Sequence, residues 1–403
     1  MISTKCLACK DATGAMMEHT IHRRAVGASD VHIKISYSGI CHSDIHTGLG
    51  EWGEKSYPLC VGHEILGKVV AVGAKVTKFK VGDTAGVGCM VDSCRSCPEC
   101  RDGDEQFCTG PGGFVGTYGT TQPEDKVPGG VTMGGYSSDI VVDEAFVIRV
   151  PEKMNVAAAT PLLCAGITCY SPFKNHGIKA GDHLGIVGLG GLGHMAVKIG
   201  VAMGCVVTVI TRCACLALLP RLASPSLLLP SSFFPPPPSL RLMFLRCALC
   251  CASWRRLRRD PAKVDMAKAM GASKVVISTD EEAMKAAAKS LHYIYNSIAF
   301  DHDVQMYLNL LKNKGTMILV GGVPKGAMPQ GSFALIGRGL TLAGSLIGGI
   351  QQTQDMIDFC AEHDIVCDIE LIPAKPEAVD TAWKRTIASD VKFRFVIDTG
   401  ATL

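Results

Sequence analysis

Four cysteines follow one another as Cys94-x2-Cys97-x2-Cys100-x7-Cys108. Four thiolates on one short loop can close a tetrahedron around Zn²⁺, and such a site is structural because no coordination position stays open. A dispersed set, Cys41, His63 and Cys164, offers two sulfurs and one imidazole. Three protein ligands leave a fourth position for water or substrate, which is the pattern of a catalytic zinc. The chain is therefore expected to bind two zinc ions, one structural and one catalytic.

A second chemistry is written at Gly188-Leu189-Gly190-Gly191-Leu192-Gly193, which follows the apolar run His183 to Leu189 and opens a helical stretch. The first glycine allows the turn, the second lets backbone approach a pyrophosphate, and the third lets helix and strand pack closely. The helix N-terminus favours the phosphate charge. Nucleotide choice is read at the end of the next strand, where an NAD site wants an acid for the ribose 2′-hydroxyl. Here the chain reads Val209-Ile210-Thr211-Arg212. A hydroxyl followed by an arginine suits a 2′-phosphate, so NADP(H) is expected. Lys263 is a further phosphate candidate, and Arg259 competes with Arg212 for the native arginine position.

These residues need two kinds of scaffold. Up to about residue 155 the chain is rich in Gly, Val, Thr and Ser with short alternating runs, such as Val31 to Ser38, Lys68 to Val72 and Ser138 to Val142. That predicts a β-rich lobe. After Pro161 strands alternate with helices. Strands are expected at 206–211, 275–278, 293–300, 316–321 and 340–346, and helices at 281–291 and 303–312. This is the α/β pattern of a doubly wound parallel sheet. The tail carries a helix at 351–362 and short strands that fold back onto the first lobe. The expected division is a β-rich catalytic domain at 1–156 with a zinc lobe at 89–110, a nucleotide domain at 157–346, and a return to the first domain at 347–403.

Residues 213–259 fit neither domain. They hold seven of the 20 prolines and seven arginines, with no lysine and no acid. They lack the periodicity of a packed element, and a structureless loop of this length inside a compact domain is unusual. The segment reads either as a surface insertion or as a translated non-coding stretch. Setting its arginines aside turns the net charge of +3 slightly acidic, so neither nucleic acid nor an anionic membrane is an implied partner. Of the 19 cysteines, six have metal-ligand spacing. With no visible signal peptide, a reducing cytoplasm is the expected compartment. Cys6, Cys9, Cys169 and Cys205 read as buried core thiols.

Gly39-Ile40-Cys41-His42-Ser43-Asp44-x-His46, Gly62-His63-Glu64-x2-Gly67-x5-Gly73 and Leu163-Cys164-Ala165-Gly166 occur in that order. Together they resemble the zinc-dependent medium-chain alcohol dehydrogenases, most of all the cinnamyl alcohol dehydrogenase branch of NADP-dependent aldehyde reductases. The resemblance runs from about residue 5 to 400, interrupted only by 213–259. It implies a GroES-like catalytic domain beside a Rossmann domain, a homodimer, and interconversion of small alcohols and aldehydes. It also implies roles. Ser43 exchanges the alcohol proton and His46 carries it to solvent. Asp44 orients His63, Glu64 stands beside the zinc as an alternate ligand, and Thr168 lies near the nicotinamide. Trp52, Tyr57 and the stretch Phe114 to Tyr118 border the substrate. The alternative is a catalytically silent zinc-binding homologue whose cofactor pocket the 213–259 segment disrupts.

Overall fold

The computed structural model describes residues 1–212, 261–322 and 332–403. The segment 213–259, with Arg259 and its five cysteines, lies outside these residues.

Two sheets carry the architecture. In the first, the strand Asp30–Gly39 pairs antiparallel with Ile65–Val72, with Asp139–Asp143 and with the C-terminal strand Arg394–Asp398. Its alternation buries Val31, Ile33 and Ile35 against Ile65, Val69, Val87, Ile140 and Val142. Side chains two apart share one face of a strand, so this run of β-branched residues fills one core. The strand Ile369–Pro373 lies parallel to Arg394–Asp398 at the edge of the same seven-stranded sheet. Both ends of the chain thus build one layer. An N-terminal hairpin, Ile2–Cys9 with Met16–Arg23, packs on it and buries Cys6 and Cys9.

The second sheet has six parallel strands in the order Lys274–Ile277, Val206–Thr211, His183–Val187, Leu291–Asn296, Leu311–Leu319, Thr341–Gly344. This is the doubly wound order, and it reverses direction between His183–Val187 and Leu291–Asn296. In such sheets ligands bind in the crevice at the carboxyl ends of the strands flanking that reversal. The helix Gly191–Ala202 covers one face and presses Met195, Ala196, Val197 and Ile199 onto Leu184, Ile186, Val207 and Val209.

Several elements differ from the sequence expectation at their ends. The helix expected over 281–291 spans Glu281–Ala286, because Lys289 takes a left-handed backbone and buried Leu291 opens the next strand. The helix expected over 303–312 stops at Leu308, and Leu311 begins a strand instead. The strand expected to reach Phe300 ends at Asn296, whose side-chain oxygen accepts from the Ile298 N–H at 3.1 Å and turns the chain. A short apolar run does not by itself distinguish helix from strand. Among the described residues, no single helix is long and apolar enough to cross a membrane.

Candidate functional site

Cys41 precedes the short helix His42–Gly48, whose turn is closed by the Cys41 N–H donating to Asp44 Oδ2 at 2.9 Å. This fixes the Cys41 thiol toward the interior. His63 follows Gly62, which takes a left-handed φ of +107° where a Cβ would strike Tyr136. Cys164 stands at the junction of the turn Thr160–Leu163 and the helix Ala165–Asn175. These three elements bring Cys41, His63, Glu64 and Cys164 together, all buried, with one ligand atom of each within 4.8 Å of the others.

The donor set fits zinc on three counts. Cys41 and Cys164 sulfurs are 3.9 Å apart, against the edge of about 3.8 Å expected for two sulfurs on one tetrahedral zinc. His63 Nε2 is buried with no hydrogen-bond partner, a cost of about 1–3 kcal/mol that a metal removes. The Cys164 contact holds the Cys41 thiol well below its ordinary range, and the same contact pushes Cys164 well above its own. Without a cation one proton stays between the two sulfurs, and a cation there lets both ionise.

The outer groups hold the ligands in place. His63 Nδ1 has Asp44 Oδ1 and the Tyr118 hydroxyl each at 3.1 Å. A donor at Nδ1 leaves Nε2 as the metal-facing lone pair. Tyr136 donates to Asp44 Oδ2 at 3.1 Å, so that fully buried carboxylate is anchored from several sides. Ser43 Oγ lies 3.6 Å from Cys41 Sγ. His46 follows Ser43 by three residues on the same helix, which places the two on one face. Its Nδ1 bonds Glu51 Oε2, and its ring stacks on Trp52 at 4.9 Å. Of the other residues expected to border the substrate, the Tyr57 hydroxyl is already donated to Gly48 O at 2.9 Å, and Phe114 packs against the lobe's core.

Glu64 is fully buried, and Gly39 is glycine because a Cβ there would lie 1.9 Å from Glu64 Oε2. Burial pushes this carboxyl up to about 8, against the opposing pull of Arg394. Arg394 Nη2 bonds Glu64 Oε1 at 2.7 Å. The same arginine reaches the glycine turn: its Cδ and Nε lie 3.1 and 3.3 Å from where a Gly191 Cβ would stand. One buried side chain therefore touches both the metal cluster and the nucleotide cradle, which makes them a single site. Nothing in the sequence singled out Arg394. The available signal was a charge inside the alternating strand Arg394–Asp398, but its partner lies 330 residues away.

The glycine turn divides its labour. Gly188 takes a φ of +91°, and a Cβ on Gly193 would lie 2.0 Å from Gly188 O. Around Gly190 a Cβ would meet nothing within 4 Å. A pyrophosphate needs an open approach of this kind. Leu189 is buried and Leu192 packs against the same core, so these two positions offer backbone, not side chain, to a cofactor. Thr168 is buried, and its carbonyl accepts from Tyr295 at 3.3 Å. Thr211 ends its strand, and the next residue, Arg212, lays its guanidinium 4.6 Å above the Phe300 ring. Lys263 is half-buried in the helix Pro261–Ala269.

Apart from this centre, Cys94, Cys97, Cys100 and Cys108 form a second cluster with the same 4.8 Å closeness. Cys94 to Cys100 and Cys97 to Cys108 are each 3.9 Å, again the edge of a zinc tetrahedron and far beyond a disulfide. The Ser96 and Cys97 N–H groups point at Cys94 Sγ and lower its thiol to about 6. The lobe presses on the start of the helix Ile350–Glu362, where Glu105 Oε2 accepts from the Ile350 N–H and Gly349 leaves no room for a Cβ beside Gly103 O.

Known proteins resemble this chain over its whole length. The alcohol dehydrogenase GroES-like domain matches residues 27–152, and the zinc-binding dehydrogenase domain matches residues 257–362. The NADP-dependent alcohol dehydrogenase C 1 of Mycolicibacterium smegmatis is 42% identical, covering 100% of this chain and 99% of that one. Among solved structures, a cinnamyl alcohol dehydrogenase of Sorghum bicolor superimposes with a TM-score of 0.82 at 37% identity, over 100% of this chain and 99% of that one. That of Helicobacter pylori, complexed with NADP(H), gives 0.81 at 36% identity with the same coverage.

Proposed function

The chain belongs to the zinc-binding alcohol dehydrogenase family, and on that premise we propose that it interconverts small primary alcohols and aldehydes with NADP(H), working mainly as an aldehyde reductase. The observation that carries this is Arg394, which joins the buried Cys41–His63–Cys164 cluster to the glycine turn. Nothing in the fold or the relatives favours the catalytically silent reading.

Zinc held by Cys41, His63 and Cys164 supplies Lewis acidity to the substrate oxygen, and NADP(H) in the cradle supplies the hydride carrier. The remaining work falls to the chain's own side chains. Asp44 and Tyr118 keep the His63 ring turned so that Nε2 faces the cluster. Ser43 Oγ exchanges the substrate's hydroxyl proton, and His46 moves it outward, since an imidazole can both accept and donate a proton. Glu64, tied to Arg394, stands behind the ligands as a reserve oxygen donor. Arg212 and Lys263 bind the 2′-phosphate, with Thr211 beside them, and Thr168 contacts the nicotinamide. Cys94, Cys97, Cys100 and Cys108 hold the structural zinc. The apolar, partly exposed Trp52 at the cleft suits a flat aromatic or cinnamyl-type aldehyde.

The same reading includes the domain division at 1–156, 157–346 and 347–403, residence in the cytoplasm, and a homodimer. The strand Thr341–Gly344 ends the six-stranded sheet with one side unpaired among the described residues, and Phe333 and Ile336 nearby in sequence are 80% and 68% exposed. An open edge flanked by apolar side chains suits pairing with a second copy. Incubating zinc-loaded protein with NADPH and a panel of aldehydes tests the function. Consumption of NADPH with at least one of them is expected, and a folded, zinc-loaded protein that turns over none would overturn it.

A further inference from the structure

The strand His183–Val187 pairs with Val206–Thr211 on one side and with Leu291–Asn296 on the other, and the segments leaving these two neighbours meet across its carboxyl end. Arg212 follows the first neighbour, and Phe300 stands in the loop after the second. The Arg212 guanidinium lies 4.6 Å from the Phe300 ring centre, so the pair spans the glycine turn between them. The Phe300 loop touches that turn: Ser297 Oγ donates to Val187 O at 2.9 Å and stands 2.9 Å from where a Gly188 Cβ would lie. The loop is also braced from within. Asn296 Oδ1 accepts from the Ile298 N–H, and Asn296 Nδ2 donates to His302 Nε2 at 2.9 Å. His302 Nδ1–H donates in turn to Phe300 O at 2.7 Å. One neutral tautomer of His302 satisfies both bonds. Gly321 packs against the same loop so closely that a Cβ would lie 2.1 Å from Ile298 O. Yet the ring this frame carries is 47% exposed, an apolar side chain held out of the core and under an arginine.

We infer that Phe300 is a specificity-determining positioning residue: its ring is the platform that sets the Arg212 guanidinium for a ribose 2′-phosphate. Arg212 is exposed, and a long exposed side chain gives up rotamer freedom when a ligand fixes it. A guanidinium already lying on an aromatic face has lost part of that freedom before the ligand arrives, and the ring's negative face holds it there. Stacking uses the flat face of the guanidinium only. The N–H groups around its edge stay available for a bidentate bond to phosphate. The charge that selects NADP(H) therefore comes from Arg212, and its placement comes from Phe300. At 4.6 Å the two groups cannot admit an adenine between them, which at ordinary contact distances would need about 7 Å. Phe300 thus acts through Arg212, not as one side of an adenine sandwich. This rests on the reading of Arg212 as the 2′-phosphate ligand, which the test separates from the role of Phe300.

The experiment compares Phe300→Leu, Phe300→Tyr, Arg212→Met and the double variant Phe300→Leu/Arg212→Met with the wild type, all as zinc-loaded full chain. Calorimetric titration with adenosine 2′,5′-bisphosphate and with adenosine 5′-monophosphate reads the 2′-phosphate contribution as the ratio of the two affinities, without turnover. Phe300→Leu is expected to lower that ratio on the order of fivefold, through the bisphosphate alone, with monophosphate affinity and thermal unfolding unchanged. Phe300→Tyr keeps the aromatic face and should keep the ratio. Arg212→Met should lower it by about tenfold or more, and Phe300→Leu should cost nothing further once Arg212 is gone. A wild-type ratio in Phe300→Leu, beside a reduced one in Arg212→Met, would overturn the inference alone. An equal loss of both nucleotides in Phe300→Leu would do the same, because it would put Phe300 on the adenine. A wild-type ratio in Arg212→Met would overturn the reading of Arg212 and the inference with it.

Discussion

Alanine at two positions of one glycine turn is expected to give two different phenotypes. At Gly193 a Cβ would lie 2.0 Å from Gly188 O and 2.9 Å from Gly188 C, both backbone atoms that no rotamer change can move. Relief requires the helix Gly191–Ala202 to retreat from the strand His183–Val187 by about 1 Å, the shortfall from an ordinary carbon–oxygen contact. That helix buries Met195, Ala196, Val197 and Ile199 completely, so the retreat loosens a packed core and costs roughly 1–3 kcal/mol. It also misplaces the phosphate cradle. At Gly190 the backbone is extended, with φ −118° and ψ −154°, and a Cβ meets nothing within 4 Å. Gly190→Ala should therefore unfold like the wild type, yet it places a methyl where the pyrophosphate approaches. Losing one or two amide bonds to a charged group, at about 1.5–3 kcal/mol each, weakens binding by roughly ten- to a hundredfold or more. Denaturant unfolding and NADPH fluorescence titration measure both quantities. The expected result is Gly193→Ala impaired in both and Gly190→Ala impaired in binding alone. Wild-type NADPH affinity in Gly190→Ala would refute this division of roles, as would wild-type stability in Gly193→Ala.

Arg394→Met removes the guanidinium 2.7 Å from buried Glu64; a loss of about 3–5 kcal/mol is expected in denaturant unfolding, partly restored by adding Glu64→Gln. Arg212→Glu replaces a cation with the acid that an NAD site uses, so NADPH affinity should fall at least tenfold while NADH affinity rises, as read by titration with each nucleotide. Cys94→Ala should lower bound zinc from two ions to one per chain by metal analysis, and make the 89–110 lobe sensitive to protease while Cys41, His63 and Cys164 keep theirs. Burial holds His194 down to about 3. A depressed folded value means its contribution is complete above the unfolded value of about 6.5 and is lost as pH falls toward 3. Acid unfolding of the wild type should therefore steepen between pH 6.5 and 3, and His194→Asn should flatten that window.

The chemistry was legible where it was carried by residue type at short spacing. Cys94 to Cys108 announces a closed zinc site within one loop, and the six-residue glycine turn announces a phosphate cradle after a strand. The alternation of Val31 to Ser38 matches the strand Asp30–Gly39 because a half-buried strand writes its face directly into the sequence. Contacts between distant segments left no such mark. Arg394 is joined to Glu64 and to the Gly191 turn only by the fold, since the C-terminal strand closes the N-terminal sheet. Glu51 lies near His46 in sequence, but an acid on a polar loop reads as a solvated charge until its carboxylate is seen on Nδ1. The ends of the helix Glu281–Ala286 and of the strand Leu311–Leu319 were misplaced because the buried residues Leu291 and Leu311 suit either element locally. Packing made that decision.

The most direct test of the account is NADPH oxidation by zinc-loaded protein across aromatic and aliphatic aldehydes, beside Cys164→Ser as the variant that breaks the buried ligand set. NADPH consumption by the wild type, much slower with NADH and abolished in Cys164→Ser, is the predicted result. A protein that holds two zinc ions and binds NADPH but reduces no aldehyde, or one whose turnover survives the loss of Cys164, would contradict it.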